Sequence, residues 1–413
     1  MKSAILLLHA VFLVIIHVVV ARSWTVPLQS LSQGRISDDT RWRLPSTCPL
    51  NKRVSRHDVP LTDWLGDSDY QWYSTISVGT PPQNLTVLWD TGFSDLIIPQ
   101  KNCTTCGIHR SFNPANSSSF SEARDGQLPL PFFTSENSTP LAAPEYAHCN
   151  LVYDQVAIGN LSQSHQGIIL CNDYTPSLAE MPVDGIIGLA PHGVSYTGET
   201  SFFWNLWETN QLKYPVFSLY LPAGEAHGAQ ITLGDVDQTK YVGDITNLGL
   251  DPDHFQEWAT WVHHFTAIHV DGQQLPRSIS GNNTVRQAPF AGAAAILDSG
   301  TAFIQVPDYD TARDLYDSIS GAIQPIDPAG AANNVYINVT LPASAFNLGE
   351  YPGQPGVCQA VFTHNRYNNS VGPYWILGSP LLQAYYTVWD GLSLQVGWAE
   401  LTQDTSGFGF AGP

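Results

Sequence analysis

The segment Val87-Leu88-Trp89-Asp90-Thr91-Gly92-Phe93-Ser94 returns in altered form as Ala295-Ile296-Leu297-Asp298-Ser299-Gly300-Thr301-Ala302. Each copy runs on into apolar residues and a proline, Leu96-Ile97-Ile98-Pro99 in one and Phe303-Ile304-Gln305-Val306-Pro307 in the other. Each is also followed, farther downstream, by an apolar segment closing on glycine. These are Gly185-Ile186-Ile187-Gly188-Leu189 and Trp375-Ile376-Leu377-Gly378-Ser379. Such a long-period echo in a 413-residue chain predicts two related halves, each carrying one strand-Asp-turn unit.

The local patterning between these segments is that of strands. Short apolar stretches with β-branched residues recur at Tyr73–Val78, Leu85–Trp89, Leu151–Tyr153 and Gln230–Leu233, with turns at Gly79-Thr80-Pro81-Pro82 and Asp271-Gly272. Two segments, Ser201–Gln211 and Asp308–Ser318, have helical patterns instead. The expected fold class is all-β, with two β-rich lobes and a few short helices. A charged fraction of only 13% beside 43% apolar residues excludes a disordered acidic chain.

An apolar strand that runs into Asp-Thr/Ser-Gly leaves a carboxylate at a strand end, where the glycine lets the backbone turn tightly. If the halves pack about an approximate twofold axis, Asp90 and Asp298 face one another. Two carboxylates that close hold one proton between them. The ionised member can take a proton from a water attacking a carbonyl, and the protonated member can donate to the carbonyl oxygen. The Thr91 and Ser299 hydroxyls are placed to bond across to the opposite loop, and Thr301 to bond Asp298 from outside.

These motifs, together with Tyr73–Pro82 (YSTISVGTPP counted from Tyr73), Phe112-Asn113-Pro114, Asp184–Ala190 (DGIIGLA) and Tyr385–Asp390 (YYTVWD), resemble the pepsin (A1) family of aspartic proteases. Secreted fungal members carry comparable leaders and sequons. The resemblance covers about residue 60 to 400, in the right order. It implies the bilobal acid-protease fold, an extended peptide or protein substrate in an interlobe cleft, pepstatin-like inhibitors, no cofactor, no metal, and an inhibitory propeptide. It assigns catalysis to Asp90 and Asp298, with Thr91, Gly92, Ser299, Gly300 and Thr301 in support.

Three departures bear on activity. Where the family carries serine three residues after the first aspartate, this chain has Phe93; where it carries tryptophan, this chain has Ile97; and the flap motif Tyr-Gly-Thr-Gly is absent between Gln127 and Asp154. Loss of the flap tyrosine and the tryptophan together orphans no hydrogen-bond donor. Phe133 is the flap candidate, with Glu136–Cys149 read as an insertion containing a second candidate, Tyr146. Two readings follow: an active endopeptidase with an altered flap, working at acidic pH, or a peptide-binding pseudoprotease.

The ends of the chain point to export. Lys2, an apolar run and the exit Val19-Val20-Ala21 read as a cleaved signal peptide over 1–21, a membrane anchor being the alternative. Residues 22–56 read as a basic propeptide, with seven basic residues against Asp38 and Asp39. The remaining body carries nine basic and thirty-four acidic residues, a formal charge of −25. Lys52-Arg53 marks a dibasic processing site or an ordinary basic linker. The lobes are then 57–245 with Asp90 and 246–413 with Asp298.

So acidic a body argues against nucleic acid and anionic membranes as partners. A monomer without membrane attachment after signal removal is expected, delivered outside the cell, or to a vacuole. Sequons at Asn84, Asn102, Asn116, Asn137, Asn160, Asn282, Asn338 and Asn368 agree with that route. Of six cysteines, Cys103 and Cys106 can close a small loop and Cys149 and Cys171 can join neighbouring strands, leaving Cys48 and Cys358 over. His263, His264 and His269 lie in a strand-like stretch whose alternation sends His264 and His269 to opposite faces, against a metal site. A glycosidase reading of the carboxylate pair leaves the repeated turns unexplained.

Overall fold

The computed structural model describes residues 23–29, 56–63, 71–132, 145–222, 227–251, 260–265, 269–270, 273–274, 293–307, 315, 336–342, 347–350, 358–364 and 374–402. Among them strands dominate, and the α-helices are three short ones, Pro176–Glu180, Phe202–Glu208 and Ser379–Leu382. Phe202–Glu208 begins where Ser201 provides an extended N-cap and lies inside the expected Ser201–Gln211 segment. The helix expected at Asp308–Ser318 and the turn at Asp271-Gly272 fall outside the described residues, Leu315 apart. No helix among the described residues is long and apolar enough to cross a membrane.

Alternation dictates the sheet faces. In Trp72–Val78, Trp72, Ser74, Ile76 and Val78 are buried while Thr75 is exposed, the period of a strand with one face on the core. Ser121–Phe132, Glu145–Ile158 and Leu161–Asp173 are longer than their apolar cores, at 12, 14 and 13 residues. Their polar ends have no apolar run to announce them; hairpin pairing extends them, Phe132 standing opposite Glu145 and Gln127 opposite Asn150. Residues 145–149 form the returning arm of a hairpin, and the rest of the segment Glu136–Cys149, read as an insertion, lies outside the described residues.

The two echoed segments fold alike. In the first half, Gly185–Gly188 lies between Gln83–Asp90, which it pairs in parallel, and Leu96–Pro99, which it pairs antiparallel. In the second half, Tyr374–Leu377 lies between Ala293–Leu297, in parallel, and Ile304–Val306, antiparallel. At each crossing the backbones approach too closely for a side chain. A Cβ on Gly188 would overlap the backbone of Ser94, and one on Gly378 would overlap the carbonyls of Thr301 and Phe303.

Among the described residues, a 13-stranded sheet draws strands from both halves and a 9-stranded sheet holds most of the second half's remaining strands. The late strands Tyr386–Asp390 and Gln395–Leu401 join the larger sheet, where Tyr386–Asp390 pairs Val216–Tyr220. Beneath this junction Phe217 stacks on Trp389 at 5.6 Å and meets Phe203 and Trp261 edge-on at 5.1 and 5.9 Å. Those four rings are almost wholly buried, and such packing makes the floor stiff. Ser23–Gln29 pairs antiparallel with Tyr336–Pro342 along its whole length.

Candidate active site

Gln83–Asp90 ends on Asp90, and Ala293–Leu297 ends one residue before Asp298. Each carboxylate is then held by the turn it opens. Gly92 N–H donates to Asp90 Oδ1 at 2.7 Å, and Gly300 N–H donates to Asp298 Oδ1 at 2.8 Å. The two turns meet face to face. A Cβ added to Gly92 would stand 2.7 Å from the Asp298 carboxyl carbon, and one added to Gly300 would overlap the Asp90 carboxyl. Both glycines are thus required by the close approach of the opposite acid.

Threonine and serine lock this arrangement reciprocally. Thr91 Oγ1 donates to the Leu297 carbonyl at 3.0 Å and accepts from Ser299 N–H at 2.9 Å. Ser299 Oγ donates to the Trp89 carbonyl at 2.8 Å and accepts from Thr91 N–H at 3.0 Å. Thr91 and Ser299 are buried, so these four bonds form without competition from water.

The dyad is not electrically symmetric. Thr301 Oγ1 donates to Asp298 Oδ2 at 2.7 Å. Among the described residues, Asp90 receives backbone N–H groups from Gly92 and Phe93 besides its contact with Asp298, and residue 93 has no hydroxyl to add. Burial pushes the Asp90 carboxyl well above the usual carboxylate range, with the charge of Asp298 and a hydrogen bond to it adding to the effect. The backbone donors of Gly92 and Phe93 oppose that shift without cancelling it. Ile97, where the resemblance leads one to expect tryptophan, is fully buried in a cluster with Leu88, Leu130 and Ile169, and Phe93 packs against that cluster.

Supports that local sequence patterns do not reveal surround the pair. Trp261 Nε1 donates to the Leu189 carbonyl at 3.2 Å, and the Trp261 carbonyl accepts from Leu297 N–H at 2.9 Å. Leu189 N–H in turn donates to the Asp90 carbonyl at 2.8 Å, so one tryptophan ties the bases of both loops together. Gln71 Nε2 donates to the Gly300 carbonyl at 2.6 Å, and Trp89 Nε1 donates to Ser74 Oγ at 2.8 Å. An unexplained abundance of tryptophan was the available signal for Trp89 and Trp261; nothing marked Gln71.

The remaining expectations are placed as follows. Cys103 is bonded to Cys106, and Cys149 to Cys171 across the antiparallel strands that carry them. Cys48 and the flap candidate Phe133 lie outside the described residues. Tyr146, the second flap candidate, sits on the returning arm opposite Pro131 and is exposed. Val262–Phe265 and His269–Val270 are strands that both pair with Ser23–Gln29, 266–268 between them lying outside the described residues, and His263 is buried with Nδ1 against the Gly249 carbonyl at 3.2 Å.

Two β-rich halves that each bring an Asp-Thr/Ser-Gly turn to a common junction define the class of aspartic proteases. The sequence model of that class, eukaryotic aspartyl protease, matches residues 71–401. Pepsin A of Sus scrofa is 30% identical over 355 residues, 83% of each chain. Pepsin A of Bos taurus is 29% identical over 83% of this chain and 86% of its own. Pepsin II-1 of Oryctolagus cuniculus is 27% identical over 89% of this chain and 91% of its own. The chain belongs to the eukaryotic aspartyl protease family.

Proposed function

We propose that this chain is a secreted aspartic endopeptidase, hydrolysing peptide bonds in proteins at acidic pH with Asp90 and Asp298 as its catalytic pair. The observation that carries the reading is the packing of each carboxylate over the other turn's glycine at the meeting of two equivalent loops. Asp90, raised by burial and by Asp298, holds the shared proton and donates it to the scissile carbonyl oxygen. Asp298, to which the Thr301 hydroxyl and Gly300 N–H donate, takes the proton of the attacking water. No covalent adduct forms, and the tetrahedral intermediate collapses as the proton passes on to the leaving amine.

Residues 1–21 act in this reading as a signal peptide and 22–56 as a basic propeptide, ahead of lobes 57–245 and 246–413. Export is supported by the two disulfides and by the sequon asparagines whose side chains are described, Asn84, Asn102, Asn116 and Asn160, all exposed. Acid activity is supported by a dyad that must keep one proton to work.

The test is cleavage of denatured haemoglobin by leader-free protein across about pH 2.5 to 7, with and without pepstatin. Acid-range cleavage that pepstatin blocks, and that Asp90→Asn abolishes, is the expected result. A second reading, a protein that binds peptides without cutting them, draws on Phe93 and its removal of the hydroxyl beside Asp90. Pepstatin binding by a folded, leader-free protein that cleaves nothing would select it.

A further inference from the structure

Gln71 stands immediately ahead of Trp72–Val78, in the half that carries Asp90, yet its side chain crosses to the turn that follows Asp298. Its Nε2 donates to the Gly300 carbonyl at 2.6 Å. Gly300 is the residue that touches both acids. Its N–H donates to Asp298 Oδ1 at 2.8 Å, and its Cα leaves no room for a Cβ against the Asp90 carboxyl. The peptide unit beyond it passes the bond on, because Thr301 N–H donates to the Asp298 carbonyl at 3.3 Å. Thr301 then sets its hydroxyl on Asp298 Oδ2 at 2.7 Å. Gln71 therefore holds, from the opposite half, the peptide plane that joins the two donors of Asp298.

The duplicated halves supply a comparison within the chain. Tyr73 stands opposite Leu88, two residues before Asp90, and Val262 stands opposite Ile296, two residues before Asp298. Gln71 and Thr260, each two residues farther back, are thus equivalent positions. Thr260 Oγ1 is buried and has no hydrogen-bond partner among the described residues, so the second half makes no matching bond from this position. A hydrogen bond in a site of low dielectric polarises the peptide it holds. A donor displaced by a fraction of an ångström at a reacting carboxylate costs rate rather than substrate affinity. We propose that Gln71 is a positioning residue for the dyad, fixing the Gly300–Thr301 peptide so that the donors of Asp298 stay aligned while the attacking water loses its proton. The proposal rests on the endopeptidase reading and adds to it a residue outside both Asp-Thr/Ser-Gly turns.

The test compares Gln71→Leu, Gln71→Glu and, as the control at the equivalent position, Thr260→Val with the wild type, each leader-free. Cleavage of a fluorogenic peptide gives kcat and KM across about pH 2.5 to 6, and pepstatin titration gives an affinity that does not depend on turnover. Gln71→Leu should lower kcat by about threefold to tenfold with KM unchanged, and weaken pepstatin by a similar factor. Thr260→Val, which removes a hydroxyl without a partner, should leave both as they are. Gln71→Glu supplies a signature that a general loss of structure lacks, since the introduced carboxyl can donate to the Gly300 carbonyl only while protonated. Its kcat, taken as a ratio to the wild type at each pH, should be close to one below about pH 3.5 and fall to the Gln71→Leu level above about pH 5. A ratio that stays flat over this range, a Gln71→Leu variant that changes KM alone, or one that changes only Tm would overturn the proposal. A wild type that binds pepstatin and cuts nothing would sink the endopeptidase reading, and the pepstatin affinities of the same variants, with the same pH signature, would then decide on Gln71. A wild type that does neither would overturn both.

Discussion

Thr91→Val removes a hydroxyl while keeping the shape of the side chain, and it tests whether the two Asp-bearing loops are locked by their reciprocal bonds. The hydroxyl serves two partners, donating to Leu297 O at 3.0 Å and accepting from Ser299 N at 2.9 Å, all of them buried. The substitution leaves a carbonyl and an N–H unpaired out of reach of water, at about 1–3 kcal/mol each. The expected loss is therefore about 2–6 kcal/mol, against a total stability on the order of 5–15 kcal/mol. In a chain of this size that corresponds to a fall in Tm of roughly 3–8 °C. Ser299→Ala strands the Trp89 carbonyl and the Thr91 N–H in the same way and should cost a similar amount. Because both hydroxyls belong to one junction, the double variant should lose less than the sum of the single losses. Scanning calorimetry of leader-free protein at one fixed scan rate measures this, the fixed rate guarding against irreversible unfolding. A fall below about 2 °C for either single variant, or strictly additive losses, would refute the reciprocal lock.

Further outcomes concern the dyad itself. Asp298→Asn should lower hydrolysis by about a hundredfold to ten-thousandfold with an unchanged circular dichroism spectrum, and undiminished cleavage would place the chemistry elsewhere. Phe93→Ser offers Asp90 a hydroxyl donor, about 1.5–3 kcal/mol toward its ionised form, so the alkaline limb of the pH–rate profile should move down by about one to two units. A limb that stays put or moves up would contradict the assignment of the proton to Asp90. Since Asp90 is raised in the folded state, its contribution to stability is complete below the unfolded carboxylate range and is lost as pH rises through the raised value. Asp90→Asn should therefore gain on the wild type from acid toward neutral pH, by about 1.4 kcal/mol per unit of elevation, whereas parallel stability curves would argue against it.

What the sequence by itself determined was the part carried by short, strong local signals. The duplicated strand-Asp-Thr/Ser-Gly units and their downstream glycine segments specify two like halves, because each feature is required by a few consecutive residues: an apolar strand, a tight turn, and a crossing where Gly188 or Gly378 alone fits. Alternation in Trp72–Val78 was legible for the same reason. The polar arms of the hairpin Ser121–Phe132 and Glu145–Ile158 were not, since their partner rather than their own pattern keeps them extended. Only the tertiary structure decided the rest. It chose Leu297 and Trp89 as acceptors for Thr91 and Ser299, made Trp261 the tie beneath both loops, and turned Asp95 toward the loop that carries Tyr196. It also returned Tyr386–Asp390 to pair with Val216–Tyr220. These contacts join residues 72 to 210 positions apart, and their strength comes from excluding water at a place that exists only after both halves have packed.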